Sequence, residues 1–165
     1  HGAMIRRAGW MVVIVAGVAG CATSPVVLRA TGAGAVAFGA SLAETELMVG
    51  SKASGSNSDA ACRYVEFSSL PGLRFTVENG VVTRADAGPG VRNELGVQLG
   101  DTTESVLSLY PDLSMRKNRE SAGGTDLILI DPDGGHAIVM QAAGNKIISI
   151  RAGLSASVGS VQGCP

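Results

Sequence analysis

The chain has 165 residues, a formal net charge of −1, 45% apolar residues and 4% aromatic residues. Its lysines and arginines are scattered, which argues against a basic face for nucleic acid or for anionic lipid, because such faces concentrate positive charge. The scarcity of aromatic residues argues against an aromatic-lined platform for sugars or bases. The length fits one ordinary domain with a real hydrophobic core.

The first 20 residues follow the order of a secretory signal. Two arginines, Arg6 and Arg7, precede a mostly apolar run from Ala8 to Gly20. That run is shorter than the roughly 20 residues of a membrane-spanning helix, and it ends in small residues, as signal peptides do. We therefore interpret 4–20 as a signal peptide and 1–3 as the remnant of an expression tag.

The end of the apolar run, Val18-Ala19-Gly20-Cys21, resembles the lipobox of bacterial lipoproteins. In that motif, Leu, Val or Ile, then Ala, Ser or Thr, then Gly or Ala precede the modified cysteine. The resemblance implies cleavage before Cys21 and lipidation of its thiol, hence a periplasmic protein attached to a membrane. Ala22 and Thr23 replace the Asp typical of inner-membrane retention, so the resemblance favours the outer membrane.

The stretch 21–34 is small, polar and rich in Gly and Ala, which predicts a flexible tether. The folded domain is expected over 35–165. With Cys21 assigned to lipid, Cys62 and Cys164 remain in an oxidising compartment, and we predict that they form a disulfide. A metal site would need more ligands at short spacing, and a redox couple favours a Cys-x-x-Cys pattern. No metal or cofactor is expected.

The domain contains two diverged copies of one unit, at about 35–90 and 91–165. Val36–Ser41 matches Val97–Thr102 in pattern, and 79–83 matches 144–149 approximately. Each unit is interpreted as one helix followed by three strands.

Local signals place the helices. Ser41 with Glu44 forms a capping-box pattern at the start of a helix over about Ser41–Val49, and Asp101 with Glu104 forms its acidic variant. In the second helix, apolar residues and Thr103 share one face, and Pro111 follows its end at Tyr110.

The strands are predicted from alternation and turn signals. Asn79-Gly80 is a strong hairpin signal, and Leu73, Phe75 and Val77 alternate with polar residues, which predicts a sheet with one buried face. Ile148 and Ile150 are assigned to that face. The segments Gly50–Ala60 and Leu113–Gly124 are predicted to be loops. The predicted strands are Cys62–Ser68, Leu73–Glu78, Val81–Asp86, Leu127–Ile130, His136–Gln141 and Ile147–Arg151.

The predicted fold class is α+β, with two tandem units of one helix and three antiparallel strands forming a sheet whose helices pack on one face. Several short motifs carry a resemblance to small proteobacterial envelope proteins. The unit is similar to outer-membrane assembly lipoproteins of the BamE/OmlA type and to tandem β-lactamase inhibitory proteins, which implies binding of a protein partner. The motifs are Cys62-x-Tyr64, Phe75-x-Val77-Glu78-Asn79-Gly80-x-Val82-x-Arg84-x-Asp86, Ser149–Gly153 and Val161-x-Gly163-Cys164.

No set of residues indicates catalysis. His136 is the one histidine outside the tag, and no Gly-x-Ser-x-Gly elbow accompanies it. The run Asp131–Gly135 has the carboxylate spacing of the first half of a calcium loop, but the bidentate Glu of an EF-hand is replaced by Ala142. A tight turn explains the run more simply, and whether it binds a cation stays open.

We therefore expect a non-enzymatic, lipid-anchored periplasmic protein that binds a protein partner and no nucleic acid. An inhibitor or immunity protein against an envelope-acting toxin or hydrolase is the first hypothesis, and an outer-membrane assembly accessory protein is the alternative. Interfaces concentrate binding energy in Trp, Tyr and Arg, and the only Trp lies in the predicted signal peptide. The candidate partner-binding residues are Arg84, Tyr110, Arg116 and Arg119.

Overall fold

A computed structural model describes residues 17, 20, 25–55, 60–120 and 123–165. Of these residues, 43% lie in strands and 14% in helices, and the strands form one four-stranded and one seven-stranded sheet. The predicted α+β fold with helices packed on one face of a sheet is therefore wrong, and the chain is mostly β. The three helices have only eight, seven and four residues, too few to cover a sheet face.

The larger sheet is antiparallel throughout and contains the strands of both predicted units. The two units meet inside this sheet, where its third strand, from the first unit, pairs with its fourth strand, from the second unit, through Ala85 and Ala152. In spatial order, the strands are β4 (Cys62–Val65), β5 (Leu73–Glu78), β6 (Val81–Ala87), β11 (Lys146–Leu154), β10 (His136–Ala143), β9 (Gly124–Ile130) and β8 (Ser114–Asn118).

The smaller sheet packs on part of the larger one through a shared core. It begins before residue 35, where the folded domain is predicted to start. Its strands are β1 (Val27–Arg29), β2 (Gly32–Ala33), β3 (Val36–Ala37) and β7 (Arg92–Asn93). Because Leu28 is fully buried in the core, residues from Val27 onward belong to the folded domain, and the predicted tether over 21–34 is too long. The predicted signal peptide and Cys21 lie outside the described residues, apart from Gly17 and Gly20.

The first helix begins where its cap predicts. In α1 (Leu42–Val49), the Ser41 side chain accepts from the Glu44 amide and the Glu44 carboxylate accepts from the Ser41 amide, which confirms the capping box. In α2 (Thr103–Leu109), the cap is Thr102 instead of Asp101. The Asp101 carboxylate is engaged by the amide of Gln98.

The two units attach helix to strand by the same backbone hydrogen bonds. The amides of Gly39 and Gly100 donate to the carbonyls of Val82 and Ile147, respectively, and four further bonds repeat the same way. Those four bonds are Leu42 to Gly80, Val82 to Ala40, Thr103 to Asn145 and Ile147 to Asp101. The second unit differs from the predicted pattern because it contributes four strands to the sheet, the extra one being β8.

Both faces of the larger sheet are buried, which contradicts the predicted single buried face. One face carries the apolar core, including Phe75 and Met140. The other face carries polar residues such as Thr76 and is covered by α3 (Ser155–Val158) and the rest of the C-terminal segment 155–165. Within the described ranges, no helix combines the length and the apolar character needed to cross a membrane.

Candidate functional site

The predicted disulfide between Cys62 and Cys164 is confirmed, with 5.6 Å between the two Cα atoms. It joins edge strand β4 to the end of the C-terminal segment across 102 residues of sequence. In a chain-entropy model, closing a loop of that size stabilises the fold by about 4–5 kcal/mol. Nearby, the Tyr64 hydroxyl accepts a hydrogen bond from the Cys164 amide at 2.9 Å.

A buried arginine on β6 binds the C-terminal segment by its backbone. Arg84 is 1% exposed, and its guanidinium donates two hydrogen bonds to the Asp86 carboxylate at 2.9 and 2.7 Å. Its remaining N–H groups donate to the carbonyls of Ser157, Ser160 and Val161 at 2.8–3.1 Å. This side chain thus satisfies carbonyls that the short helix α3 and the turn after it leave without helical partners.

Two more arginines, one on β11 and one on β8, also donate to carbonyls of the C-terminal segment. Arg151 Nε donates to the Val158 carbonyl at 2.8 Å, and Arg116 Nη2 donates to the Gly159 carbonyl at 3.0 Å. Five consecutive carbonyls, those of residues 157–161, therefore each accept a hydrogen bond from one of three arginines. We call this set of contacts the arginine clamp.

Two carboxylates, those of Asp86 and Asp126, offset part of the positive charge of the clamp's three arginines. Asp126 is buried and accepts from Arg116 at 2.7 Å, while the guanidinium of Arg151 lies 3.7 Å from it. Burial, and then the like charge of Arg84, lowers the pKa of Arg151. A guanidinium titrates so far above neutrality that it stays protonated, so the nearby carboxylates and carbonyl dipoles stabilise this buried cation.

Two glycines allow the close approach that the clamp requires. A Cβ atom at Gly153 would lie 2.2 Å from the Thr83 carbonyl oxygen and 2.7 Å from the Cα atom of Arg84. A Cβ atom at Gly163 would lie 2.2 Å from Oγ1 of Thr76. Both glycines belong to the motifs that the sequence singled out, and their physical role is close backbone packing.

The four predicted partner-binding residues are separated by the fold. Arg84 is wrong as a partner-binding residue, because it is buried and its donors are occupied by the chain itself. Tyr110 is partly buried and donates its hydroxyl to the Leu95 carbonyl at 2.7 Å, a structural contact. Arg116 and Arg119 reach the surface at and just beyond β8.

Exposed apolar residues and pockets both lie on the surface around β8. Leu109 at the end of α2, Met115 on β8 and Ile130 on β9 are 71%, 60% and 54% exposed. Leu109 and Ile130 line one pocket of about 320 Å³. We call β8 with Leu109 and Ile130 the open edge. The sequence does not predict strand β8, because Ser114–Asn118 lacks the alternation of apolar and polar residues that is typical of a strand.

A second pocket of about 400 Å³ lies at the open edge, beside the C-terminal segment. Gly159 of that segment forms part of its wall, so the arginine clamp also shapes this pocket. Its other lining residues are Arg116, Lys117, Asn118, Arg119, Glu120 and Asp126.

The remaining polar cluster lies in the turn between β9 and β10. One ligand atom from each of Asp131, Asp133 and His136 lies within 4.8 Å of the others. Hydrogen bonding from the Gly135 amide and from His136 lowers the pKa of Asp133. These bonds close a tight turn, and three side-chain ligands fall short of the six to eight oxygens that calcium prefers.

The same cluster has no geometry of a hydrolytic site. In the part of the chain that the structure describes, the His136 ring contacts the Asp133 carboxylate at 2.7 Å and the Phe38 carbonyl at 3.5 Å, and no hydroxyl or thiol hydrogen-bonds to it. An activated nucleophile requires such a contact.

Comparisons of the chain with protein-family models, curated proteins and solved structures find no match.

Replacing Arg84 with Met tests the clamp. We expect Arg84→Met to lower the free energy of unfolding by about 3 kcal/mol, because it leaves the Asp86 carboxylate and three carbonyls without their donor. Urea unfolding of the oxidised protein measures this. The exposed Arg92 on β7 provides the control, since Arg92→Met should change stability by less than about 0.5 kcal/mol. Equal effects of the two substitutions would contradict the clamp.

Proposed function

We propose that this chain is a non-enzymatic, lipid-anchored periplasmic protein that binds a protein partner through the open edge. The partner is an envelope-acting toxin or hydrolase, so the protein serves as an inhibitor or immunity protein. The observation that carries the proposal is that exposed Leu109 and Ile130 line one pocket beside edge strand β8, on which Met115 is also exposed.

Large apolar side chains at the surface support a binding role when they are grouped. Exposed apolar patches mark interaction sites, and an edge strand offers backbone donors and acceptors to a partner. Here the two features coincide, because Met115 lies on the edge strand itself and Leu109 and Ile130 share a pocket beside it. Leu47 and Met48 on α1 are also exposed, but they lie on a different element.

The rigidity of the surrounding structure fits an inhibitor. The disulfide and the clamp fix the C-terminal segment on the sheet, and Arg116 links that segment to β8. A preorganised surface loses little conformational entropy on binding, which favours high affinity. A tight one-to-one complex is therefore the expected behaviour.

Substitution of Ile130 tests the proposed surface. The wild-type protein is screened against purified secreted toxins and hydrolases, and complex formation is measured by calorimetry. We expect Ile130→Lys to weaken the complex about 30-fold, since burying a lysine at the centre of an interface costs about 2 kcal/mol. Met48→Lys on α1 is the matched control and should bind as the wild type does.

The outcomes of that screen separate the hypotheses. A screen without any toxin or hydrolase bound, accompanied by co-purification with outer-membrane assembly proteins, would replace inhibition with an assembly role. A complex that Ile130→Lys and Met48→Lys weaken equally would place the interface elsewhere.

The lipid anchor has its own test at Cys21. Cys21→Ser removes the thiol that the lipid modifies, so we expect the chain to stay uncleaved or to be released from the membrane fraction, with no incorporation of labelled palmitate. Cys62→Ser is the control, because it breaks the disulfide but leaves Cys21 intact, and it should remain in the membrane fraction. Unchanged processing and attachment of Cys21→Ser would refute lipidation.

A further inference from the structure

The open edge carries positive charge as well as apolar residues, and this points to the chemistry of its ligand. We propose that β8 binds an extended acidic segment, which pairs with it as an additional antiparallel or parallel strand. The inference rests on the proposed function, because the segment belongs to the bound protein. It goes further by naming the charge and the conformation of the part that is recognised.

The first support is that β8 ends the sheet. Residues 114–117 pair with β9 on one side, and on the other side they pair with no strand in the described residues. At the opposite edge, the backbone of Ser54 exchanges two hydrogen bonds with Glu66 next to β4, and the disulfide holds Cys62. The four residues 114–117 span about 14 Å, so they can pair with a segment of about that length.

The second support is an excess of positive charge in the pocket beside β8. Arg116, Lys117 and Arg119 line it, together with two carboxylates. Arg116 offsets the charge of Asp126, and the remaining Lys117 and Arg119 outnumber Glu120, whose carboxylate accepts from the Val161 amide. Lys117 and Arg119 make no ion pair among the described residues, so their charges remain to meet a ligand.

The side chains of β8 suit an extended peptide ligand better than they suit a small free anion. Successive side chains on a strand point to opposite faces, so Met115 and Lys117 share one face and Arg116 lies on the other. A paired segment with an apolar and an acidic residue two positions apart presents both on one face, so it can meet Met115 with the apolar side chain and Lys117 with the carboxylate. Cross-strand pairs of opposite charge stabilise such an arrangement.

The same charges explain why β8 selects another sequence over its own. Two copies of β8 paired edge to edge would bring like charges together, which destabilises the pairing. Lysines and arginines on edge strands protect proteins from self-association in this way. A basic edge thus rejects a second copy and accepts an acidic strand. Nucleic acid fits poorly, since none of the described residues that line the pocket is aromatic.

Two synthetic peptides test the inference. One is the eight-residue peptide Val-Val-Glu-Glu-Val-Val-Glu-Glu, in which Val and Glu alternate along each face of the strand, and the other replaces every Glu with Lys; both have acetylated and amidated ends. Each is titrated into the oxidised protein, and binding is followed by amide chemical shifts. We expect the acidic peptide to shift the amides of 114–118 and 124–130, with an affinity that falls as salt is added. The lysine peptide should cause no such shifts.

Charge reversal on the protein provides the matched variants. The double variant Lys117→Glu/Arg119→Glu should weaken binding of the acidic peptide at least about tenfold, because attraction becomes repulsion. Arg92→Glu changes an exposed arginine on β7 and should bind as the wild type does. Arg116 is left in place because it also belongs to the clamp.

Each remaining outcome has a defined meaning. Equal binding of both peptides, shifts confined to other strands, or an unaffected double variant would overturn the acidic-strand inference. A toxin complex that is weakened by Ile130→Lys but unchanged by the double variant would also overturn it, while leaving the proposed function intact. Failure of the proposed function is seen separately, as a screen in which no protein partner binds the open edge.

Discussion

The structure depends on the arginine clamp, in which three guanidinium groups bind five consecutive carbonyls of the C-terminal segment. Two of those arginines, Arg84 and Arg151, have almost no exposure to solvent. Burying a cation is costly unless carboxylates and carbonyls replace its water, so the segment and the arginines require each other. The disulfide to Cys62 limits how far the segment can move away, and together these contacts bury the second face of the sheet.

The arginine clamp also shapes the proposed binding surface. Arg116 lies on β8 and donates both to buried Asp126 and to the Gly159 carbonyl, and Gly159 in turn forms a wall of the pocket at the open edge. The Glu120 carboxylate, just after β8, accepts from the Val161 amide. The proposed binding surface is therefore held in shape by several contacts, of which that of Arg116 with Asp126 involves a buried carboxylate. The proposed inhibitory role draws on this preorganisation.

Local signals allowed much of the fold to be predicted, and long-range contacts account for what was missed. Asn79-Gly80 and the Ser41 cap act within a few residues, so the hairpin and the start of α1 follow from the sequence alone. Strand β8 owes its form to pairing with β9. Arginine is enriched at protein interfaces, which makes Arg84 a candidate for partner binding from sequence alone; its burial requires the return of 157–161.

The prediction that Ile148 lies on the core face is wrong, because Ile148 is exposed and Ile147 is buried in its place. A shift in strand register between Gln141 and Ala142 accounts for the difference. The clamp itself is tested most directly by the exchange rates of arginine Nε–H protons, measured by NMR on the oxidised protein at neutral pH. The clamp should slow exchange at Arg84 and Arg151, whose Nε–H groups donate to Asp86 and to the Val158 carbonyl, while exposed Arg92 should exchange fast. Exchange at Arg84 and Arg151 as fast as at Arg92 would contradict it.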